Sequence, residues 1–169
     1  MYNLRTRKQI NCNLYSKKKD KSNSKVTSKY KVYVFDLDDT LYLHTNNDDK
    51  YKTEYHIKVK KYLLKLKTQN KIICLATHNK DPMYYLKKIN IEKHMFDHVV
   101  YELKNVNSSV NKIHEYTSKR DMIMEIMVKT GYKKNKVIFF DDSDYNIDQV
   151  QSIGVKSIKV SRINGLNLD

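Results

Sequence analysis

The sequence predicts an α/β fold in which helices cover both faces of a parallel sheet, and two observations support this prediction. Three runs, at positions 32–35, 72–76 and 137–140, consist entirely of apolar residues. Such runs are typical of strands buried on both faces, as the strands of a parallel sheet are. Segments with helical spacing of apolar residues lie between them, and this alternation favours parallel connections. At 169 residues, the chain has the length of one such domain.

The remaining elements of the first half follow in order along the chain. A polar loop is predicted from Tyr42 to Thr53. After it, a helix presents apolar residues on one face, at positions 55, 59, 62, 63 and 66. A short helix is predicted to begin near Pro82, because proline is favoured in the first turn of a helix. Residues 96–101 are predicted to form a further strand.

In the second half, a helix is predicted to begin after Ser118, since Ser118 and Asp121 resemble a capping box. Gly131 stands where a helix-terminating glycine belongs. A last helix follows the 137–140 run, with apolar residues at 147, 150 and 153, and 155–160 is predicted to be a strand. There are only three glycines in the chain, and their positions exclude a glycine-rich phosphate or dinucleotide loop.

The net charge of +14 is concentrated at the N-terminus. Residues 1–31 contain ten basic residues and one acidic residue, whereas residues 32–169 contain 23 basic and 18 acidic residues. We therefore expect residues 1–28 to form a basic, disordered tail and residues 29–169 to form the domain. A solvated tail explains this charge most simply. Contact with a polyanion and a nuclear address are the alternatives.

Several sequence features bear on where in the cell the protein is located. No run of 18 apolar residues exists, so no membrane span is predicted, and the first residues contain no apolar signal segment. Cys12 and Cys74, in the tail and in a predicted core strand, are expected to be free thiols. These features favour a cytoplasmic protein, with a nuclear location possible through the tail.

Carboxylates follow two of the predicted strands. Asp36 and Asp38 come after the first strand, and Asp141 and Asp142 follow the 137–140 run. Carboxylates so close together repel unless a proton or a cation lies between them, and hard divalent cations prefer oxygen ligands. The sequence therefore predicts a divalent-cation site at this end of the sheet.

Two further polar residues are expected beside these carboxylates. Thr77 follows the second strand, and Lys119 lies in the first turn of a predicted helix. Ligands of parallel α/β sheets bind beyond the carboxyl ends of the strands. A lysine and a helix N-terminus at that edge favour an anion such as a phosphate.

The residues named above resemble, in order, the four motifs of the haloacid dehalogenase superfamily. The matching residues are Asp36-Leu37-Asp38-Asp39-Thr40, Thr77, Lys119 and Asp141-Asp142. Within that superfamily, positions 118–168 look like the magnesium-dependent phosphatase branch, through Ser118-Lys119, Lys129-Thr130-Gly131, Asn146-Ile147, Gly154-Val155 and Asn164-Gly165. The chain departs from that branch at Asp39, where an aromatic residue is usual, and at Thr77-His78, where Ser-Arg is usual.

The resemblance implies a Mg²⁺-dependent phosphomonoester hydrolase. Asp36 would be the nucleophile that forms an aspartyl-phosphate, and Asp38 the general acid and base. Mg²⁺ would be held by Asp36, the backbone carbonyl of Asp38 and Asp141, with Asp142 as a ligand or an outer-shell partner. Thr77 and Lys119 would bind the phosphoryl group, and His78 could touch the substrate. The other histidines, at positions 44, 56, 94, 98 and 114, show no metal-ligand spacing.

The resemblance leaves the substrate open. Members of the superfamily often carry a cap domain inserted at one of two places in the sheet. Here 40 residues separate Asp36 from Thr77 and 41 separate Thr77 from Lys119, so neither insertion point has room for a separate cap. An uncapped site is compatible with phosphotyrosine in a protein or with a sugar phosphate. The alternatives are a nucleic-acid 3′-phosphatase that uses the basic tail, and a catalytically silent binding module with the same fold.

Overall fold

In the part of the chain that the structure describes, five strands form a fully parallel sheet at the centre of the domain, and a parallel sheet was predicted. The computed structural model describes residues 29–102 and 118–168. The strand order across the sheet is β3-β2-β1-β4-β5. The strands are β1 (Val32–Phe35), β2 (Ile72–Thr77), β3 (His98–Tyr101), β4 (Val137–Asp141) and β5 (Lys156–Lys159).

Within the described ranges, four α-helices lie between the strands. They are α1 (Asp49–Thr68), α2 (Pro82–Lys88), α3 (Lys119–Thr130) and α4 (Asp144–Ser152). Short 3-10 turns, Lys93–Met95 and Lys134–Lys136, precede β3 and β4. No helix in the described ranges is long and apolar enough to cross a membrane.

The two faces of the sheet bury separate hydrophobic cores because successive side chains of a strand point to opposite faces. On one face, Phe35 of β1 packs in a cluster with Leu63 of α1 and Leu86 of α2. On the other face, Val34 shares a cluster with residues of α3 and α4, among them Ile123 and Val150. Helices therefore cover both faces, and the predicted fold class is confirmed.

The ends of α3 form as their sequence signals predict. The Ser118 hydroxyl accepts the Asp121 N–H at 3.2 Å, and Gly131 ends the helix in the left-handed conformation, with φ of 70°. This cap fixes the start of the helix, so that Lys119 occupies its first position.

The sequence prediction was wrong at the start of α1. The helix begins at Asp49, whereas a loop was predicted as far as Thr53. The Asp48 carboxylate caps the helix by accepting the Tyr51 N–H at 3.0 Å, and this cap adds a polar first turn that carries no apolar periodicity. At the sheet edge, β3 also begins two residues later than predicted, at His98.

Within the described residues, no cap domain is inserted in the sheet. The first insertion point contains a loop and α1, and the second contains α2 and β3. Residues 103–117, which include His114, lie outside the described part of the chain, as do the predicted tail at 1–28 and Cys12. Cys74 is a free, buried thiol.

Tyr55 joins three distant parts of the domain. Its hydroxyl donates to the carbonyl of Thr40, in the loop after β1, and accepts the N–H of Leu166 at 2.9 Å. Gly165 makes this approach possible, because a Cβ at that position would lie 2.2 Å from the Tyr55 ring. Gly165 also has a φ of 67°, a conformation that other residues rarely adopt.

Replacing Tyr55 with phenylalanine is expected to lower the free energy of unfolding by about 1–3 kcal/mol, since two buried backbone groups lose their partner. Chemical denaturation of the two proteins measures this difference. Tyr51→Phe is the matched control, because Tyr51 is 37% exposed and its hydroxyl makes one hydrogen bond, to Asn164 O at 3.3 Å. Equal losses in the two variants would contradict the assignment.

Candidate active site

Three neighbouring strands end at one edge of the sheet and bring the motif residues together. Asp36 directly follows β1, Thr77 is the last residue of β2, and Asp141 is the last residue of β4. The backbone N–H of Asp36 donates to Phe140 O at 2.9 Å, so the residue continues the ladder between β1 and β4. The sequence analysis predicts that these side chains share one crevice, and the three residues lie at the same edge of the sheet.

Lys119 reaches this edge from the first turn of α3. Its ammonium group contacts Asp36 Oδ1, lies 2.7 Å from the carbonyl of Ala76 and lies 3.3 Å from Asp141 Oδ2. The lysine is 1% exposed and Asp141 is fully buried. One buried cation is therefore shared between two buried carboxylates and the end of β2.

Burial and charge shift the protonation equilibria of this cluster. Burial raises the pKa of Asp36 to about 7, and repulsion from Asp141 adds to the rise, while Lys119 opposes it. For Lys119, burial favours the neutral amine, but Asp36 and Asp141 together outweigh it and raise the pKa of the ammonium. Lys119 is therefore charged, and Asp36 is a carboxyl whose ionisation depends on the cations around it.

Asp36, Asp141 and Asp142 form a candidate metal centre. One carboxylate oxygen from each residue lies within 4.8 Å of the others. Asn146 Nδ2 lies 3.1 Å from each oxygen of Asp141, and the Ser143 N–H donates to Asp141 Oδ1 at 2.8 Å, so this side chain is fixed in place. Three oxygen donors of this kind suit a hard divalent cation.

Asp142 lies at the more exposed side of this cluster. Arg162 Nε lies 2.7 Å from its Oδ2. Burial and the nearby Asp141 raise the pKa of Asp142, and Arg162 opposes this shift. Asp142 is therefore both a member of the carboxylate cluster and the ion-pair partner of Arg162.

The Asp38 carboxylate is not part of the three-carboxylate cluster found among the described residues. Its side chain is 37% exposed, and its Oδ1 atom lies 2.6 Å from Nε2 of His44. The Asn79 side-chain amide lies 3.0 Å and 3.1 Å from the two Asp38 oxygens. Asp38 is thus held by polar side chains from the loops after β1 and β2.

Asp39, which departs from the motif of the resembled branch, shapes the loop after β1. Its backbone has a φ of 52°, and its carboxylate accepts the N–H groups of His44 at 2.7 Å and Thr45 at 2.9 Å. The Thr45 hydroxyl donates to the same carboxylate at 2.7 Å. These bonds fold the loop back so that the His44 ring meets Asp38.

Thr77 and His78 lie beside the cluster at the end of β2. Thr77 is fully buried, and its hydroxyl accepts the Asn79 N–H at 3.1 Å, which leaves its own proton able to donate. His78 is partly exposed, with Nδ1 4.0 Å from a Glu102 oxygen. Burial and the charge of Lys119 lower the pKa of His78, so its neutral form is favoured near neutral pH.

Sequence reasoning missed four residues that contact the site carboxylates: His44, Asn79, Asn146 and Arg162. Asn79 directly follows Thr77-His78, and Asn146 belongs to the motif that carries the resemblance, so both had a sequence signal. His44 and Arg162 had none, because loop conformation alone brings them to Asp38 and Asp142.

Comparison with a family model identifies the chain. The model described as Acid Phosphatase matches residues 45–169, which is most of the sequence. The chain belongs to the acid phosphatase family. It is a phosphatase of the haloacid dehalogenase superfamily, as the motifs indicated, although the family match begins after Asp36 and Asp38. No curated protein sequence matches the chain.

Solved structures resemble this phosphatase at low identity. One is the N-terminal part of a Bacteroides fragilis protein containing a phosphatase domain, complexed with Mg. It is 18% identical, with a TM-score of 0.57, and the match covers 79% of this chain and 37% of that one.

Two other structures match over most of both chains. A haloacid dehalogenase-like hydrolase from Streptococcus pneumoniae is 14% identical, with a TM-score of 0.55, and the match covers 83% of this chain and 89% of that one. A predicted phosphoglycolate phosphatase from Haemophilus somnus is 14% identical, with a TM-score of 0.56 and coverage of 82% and 88%. At these identities the likenesses show a shared fold.

Proposed function

We propose that this phosphatase hydrolyses phosphomonoesters with the help of Mg²⁺ and forms an aspartyl-phosphate at Asp36. The observation that carries the proposal is the position of the Asp36 carboxylate. It contacts the buried ammonium of Lys119 on one side and lies within 4.8 Å of the Asp141 and Asp142 carboxylates. A nucleophilic carboxylate between a fixed cation and a candidate metal centre is suited to attack an anionic phosphorus.

The proposed reaction proceeds in two halves. In the first, an Asp36 oxygen forms a bond to phosphorus as the ester P–O bond breaks, and Asp38 gives its proton to the departing oxygen. In the second, Asp38 takes a proton from a water molecule, whose oxygen attacks phosphorus and displaces Asp36. Inorganic phosphate leaves, and both carboxyl groups return to their starting states.

The other site residues are proposed to bind the phosphoryl group. The ammonium of Lys119 would balance its negative charge, and the Thr77 hydroxyl would donate to one of its oxygens. His78, which is partly exposed beside Thr77, would contact the part of the substrate nearest the phosphate.

The carboxylate cluster fits Mg²⁺. Asp36, Asp141 and Asp142 supply hard oxygen atoms, and the backbone carbonyl of Asp38 is proposed as a fourth ligand. When bound, Mg²⁺ would supply positive charge that stabilises the carboxylate form of Asp36 and the phosphoryl oxygens. The Bacteroides fragilis phosphatase domain, which was solved in complex with Mg, supports this choice of metal.

We propose phosphotyrosine, in a protein or free, or a sugar phosphate as the substrate. The exposure of Asp38 and the lack of a cap among the described residues support an open site that admits a bulky leaving group. The alternative, a nucleic-acid 3′-phosphatase, depends on the proposed tail at 1–28, which lies outside the described residues. Phosphate release from phosphotyrosine, fructosamine 6-phosphate and a 3′-phosphorylated oligonucleotide ranks these substrates.

Replacing Asp36 with asparagine is expected to lower Mg²⁺-dependent phosphate release by about a thousandfold or more, because an amide cannot attack phosphorus. Steady-state assays on the best substrate of the panel measure the loss. Asp148→Asn, which removes an exposed carboxylate from α4, is the control and should retain wild-type activity. Comparable activity in Asp36→Asn would show that the assigned nucleophile is wrong.

Mg²⁺ is expected to raise the melting temperature, since a ligand that binds the native state stabilises it. The gain is about 2.7 kcal/mol at a free concentration 100 times Kd. Thermal denaturation with and without Mg²⁺ measures the shift. Asp141→Asn should abolish the shift, and Asp148→Asn should keep it. A wild-type melting temperature that does not respond to Mg²⁺ would count against the metal centre.

A further inference from the structure

The Asp38 carboxylate is held in place more firmly than its exposure of 37% suggests. Three polar contacts at 2.6 to 3.1 Å reach it from two side chains, His44 and Asn79. Side chains that are partly exposed usually sample several rotamers, and each contact restricts that sampling. His44 comes from the same loop after β1 as Asp38, and Asn79 comes from the loop after the neighbouring strand β2.

His44 is itself fixed on several sides. Its N–H donates to Asp39 Oδ1 at 2.7 Å, which sets the backbone of the loop. Its ring packs against Tyr42, with centroids 4.7 Å apart, and against Tyr85 of α2, with centroids 5.0 Å apart. These contacts aim Nε2 at the Asp38 carboxylate.

Asn79 is oriented by its neighbours along the chain. Its side-chain oxygen accepts the Asp81 N–H at 2.8 Å, and its own N–H donates to the Thr77 hydroxyl at 3.1 Å. Because the amide oxygen is occupied by Asp81, the amide NH₂ group points toward both oxygens of Asp38. The same short loop therefore links the end of β2 to the Asp38 carboxylate.

We propose that His44 and Asn79 are positioning residues that hold the Asp38 carboxyl group against the leaving-group oxygen. This inference rests on the proposed function and adds the residues that control proton transfer to the leaving group. The two partners are chemically suited to the task. With its proton on Nε2, the His44 imidazole donates to Asp38 Oδ1, as the Asn79 amide does, whether the carboxyl group is ionised or carries a proton on Oδ2. A proton on Oδ2 therefore remains able to pass to the leaving group.

The dependence of activity on the leaving group tests this role. A good leaving group departs without a proton, whereas tyrosine needs one from the general acid. In His44→Ala and Asn79→Ala, kcat/KM for phosphotyrosine should fall by about tenfold or more. For 2,4-dinitrophenyl phosphate it should change by less than about threefold. The value of kcat/KM is used because it covers the steps up to the departure of the leaving group.

Two further variants make the comparison specific. His44→Gln should recover part of the phosphotyrosine activity, because an amide can also donate or accept. His56→Gln is the matched control: His56 stacks on the same Tyr42, with centroids 5.2 Å apart, and bonds to Leu43 N rather than to Asp38. This control should keep the wild-type leaving-group dependence. Where an alanine variant melts well below the wild type, the loss is measured instead in His44→Phe, which keeps a ring against Tyr42 and Tyr85 but lacks Nε2, and in Asn79→Ser.

Equal losses for both substrates, or no loss for phosphotyrosine, would overturn the positioning role. These results are distinct from failure of the proposed function itself. A wild-type protein without phosphomonoesterase activity, or an Asp36→Asn variant with full activity, would refute the proposed function before His44 is considered.

Discussion

The buried ammonium of Lys119 is the charge on which the arrangement of the site depends. It contacts Asp36 and lies 3.3 Å from Asp141 Oδ2. It also lies 2.7 Å from the backbone carbonyl of Ala76 in β2. Without a nearby cation, two buried carboxylates at the end of the sheet would repel each other, and this repulsion would favour their protonated forms. The capped start of α3 provides this cation, so a helix terminus outside the sheet fixes the electrostatics at its edge.

The two sides of Asp36 differ in how they are stabilised. Toward β4, the buried ammonium of Lys119 balances the negative charge of the carboxylates. Asp36, Asp141 and Asp142 also offer oxygen ligands for a divalent cation. Toward the loop after β1, Asp38 is more exposed and is held by hydrogen bonds from His44 and Asn79. The first side suits a group that must carry negative charge, and the second suits a group that must exchange protons with a leaving group and with water.

The sequence predicted the sheet and most of its helices because apolar runs and caps are local signals. It also predicted that Asp36, Thr77 and Asp141 would meet, since the ends of parallel strands share an edge. It did not predict His44, whose position depends on the positive φ of Asp39 and on side-chain bonds within the loop. Nor did it predict Arg162, which reaches Asp142 from the segment after β5. The start of α1 was missed because its first turn is polar and depends on the Asp48 cap.

A double-mutant cycle between Lys119 and Asp36 tests the central claim most directly. Free energies of unfolding would be measured for wild type, Lys119→Met, Asp36→Asn and the double variant at about pH 8, above the Asp36 pKa of about 7. We expect Lys119→Met alone to cost about 3–5 kcal/mol, and the cycle to give a coupling energy of about 1–3 kcal/mol. Additive effects, within about 0.5 kcal/mol, would contradict the claim that this lysine stabilises the Asp36 carboxylate.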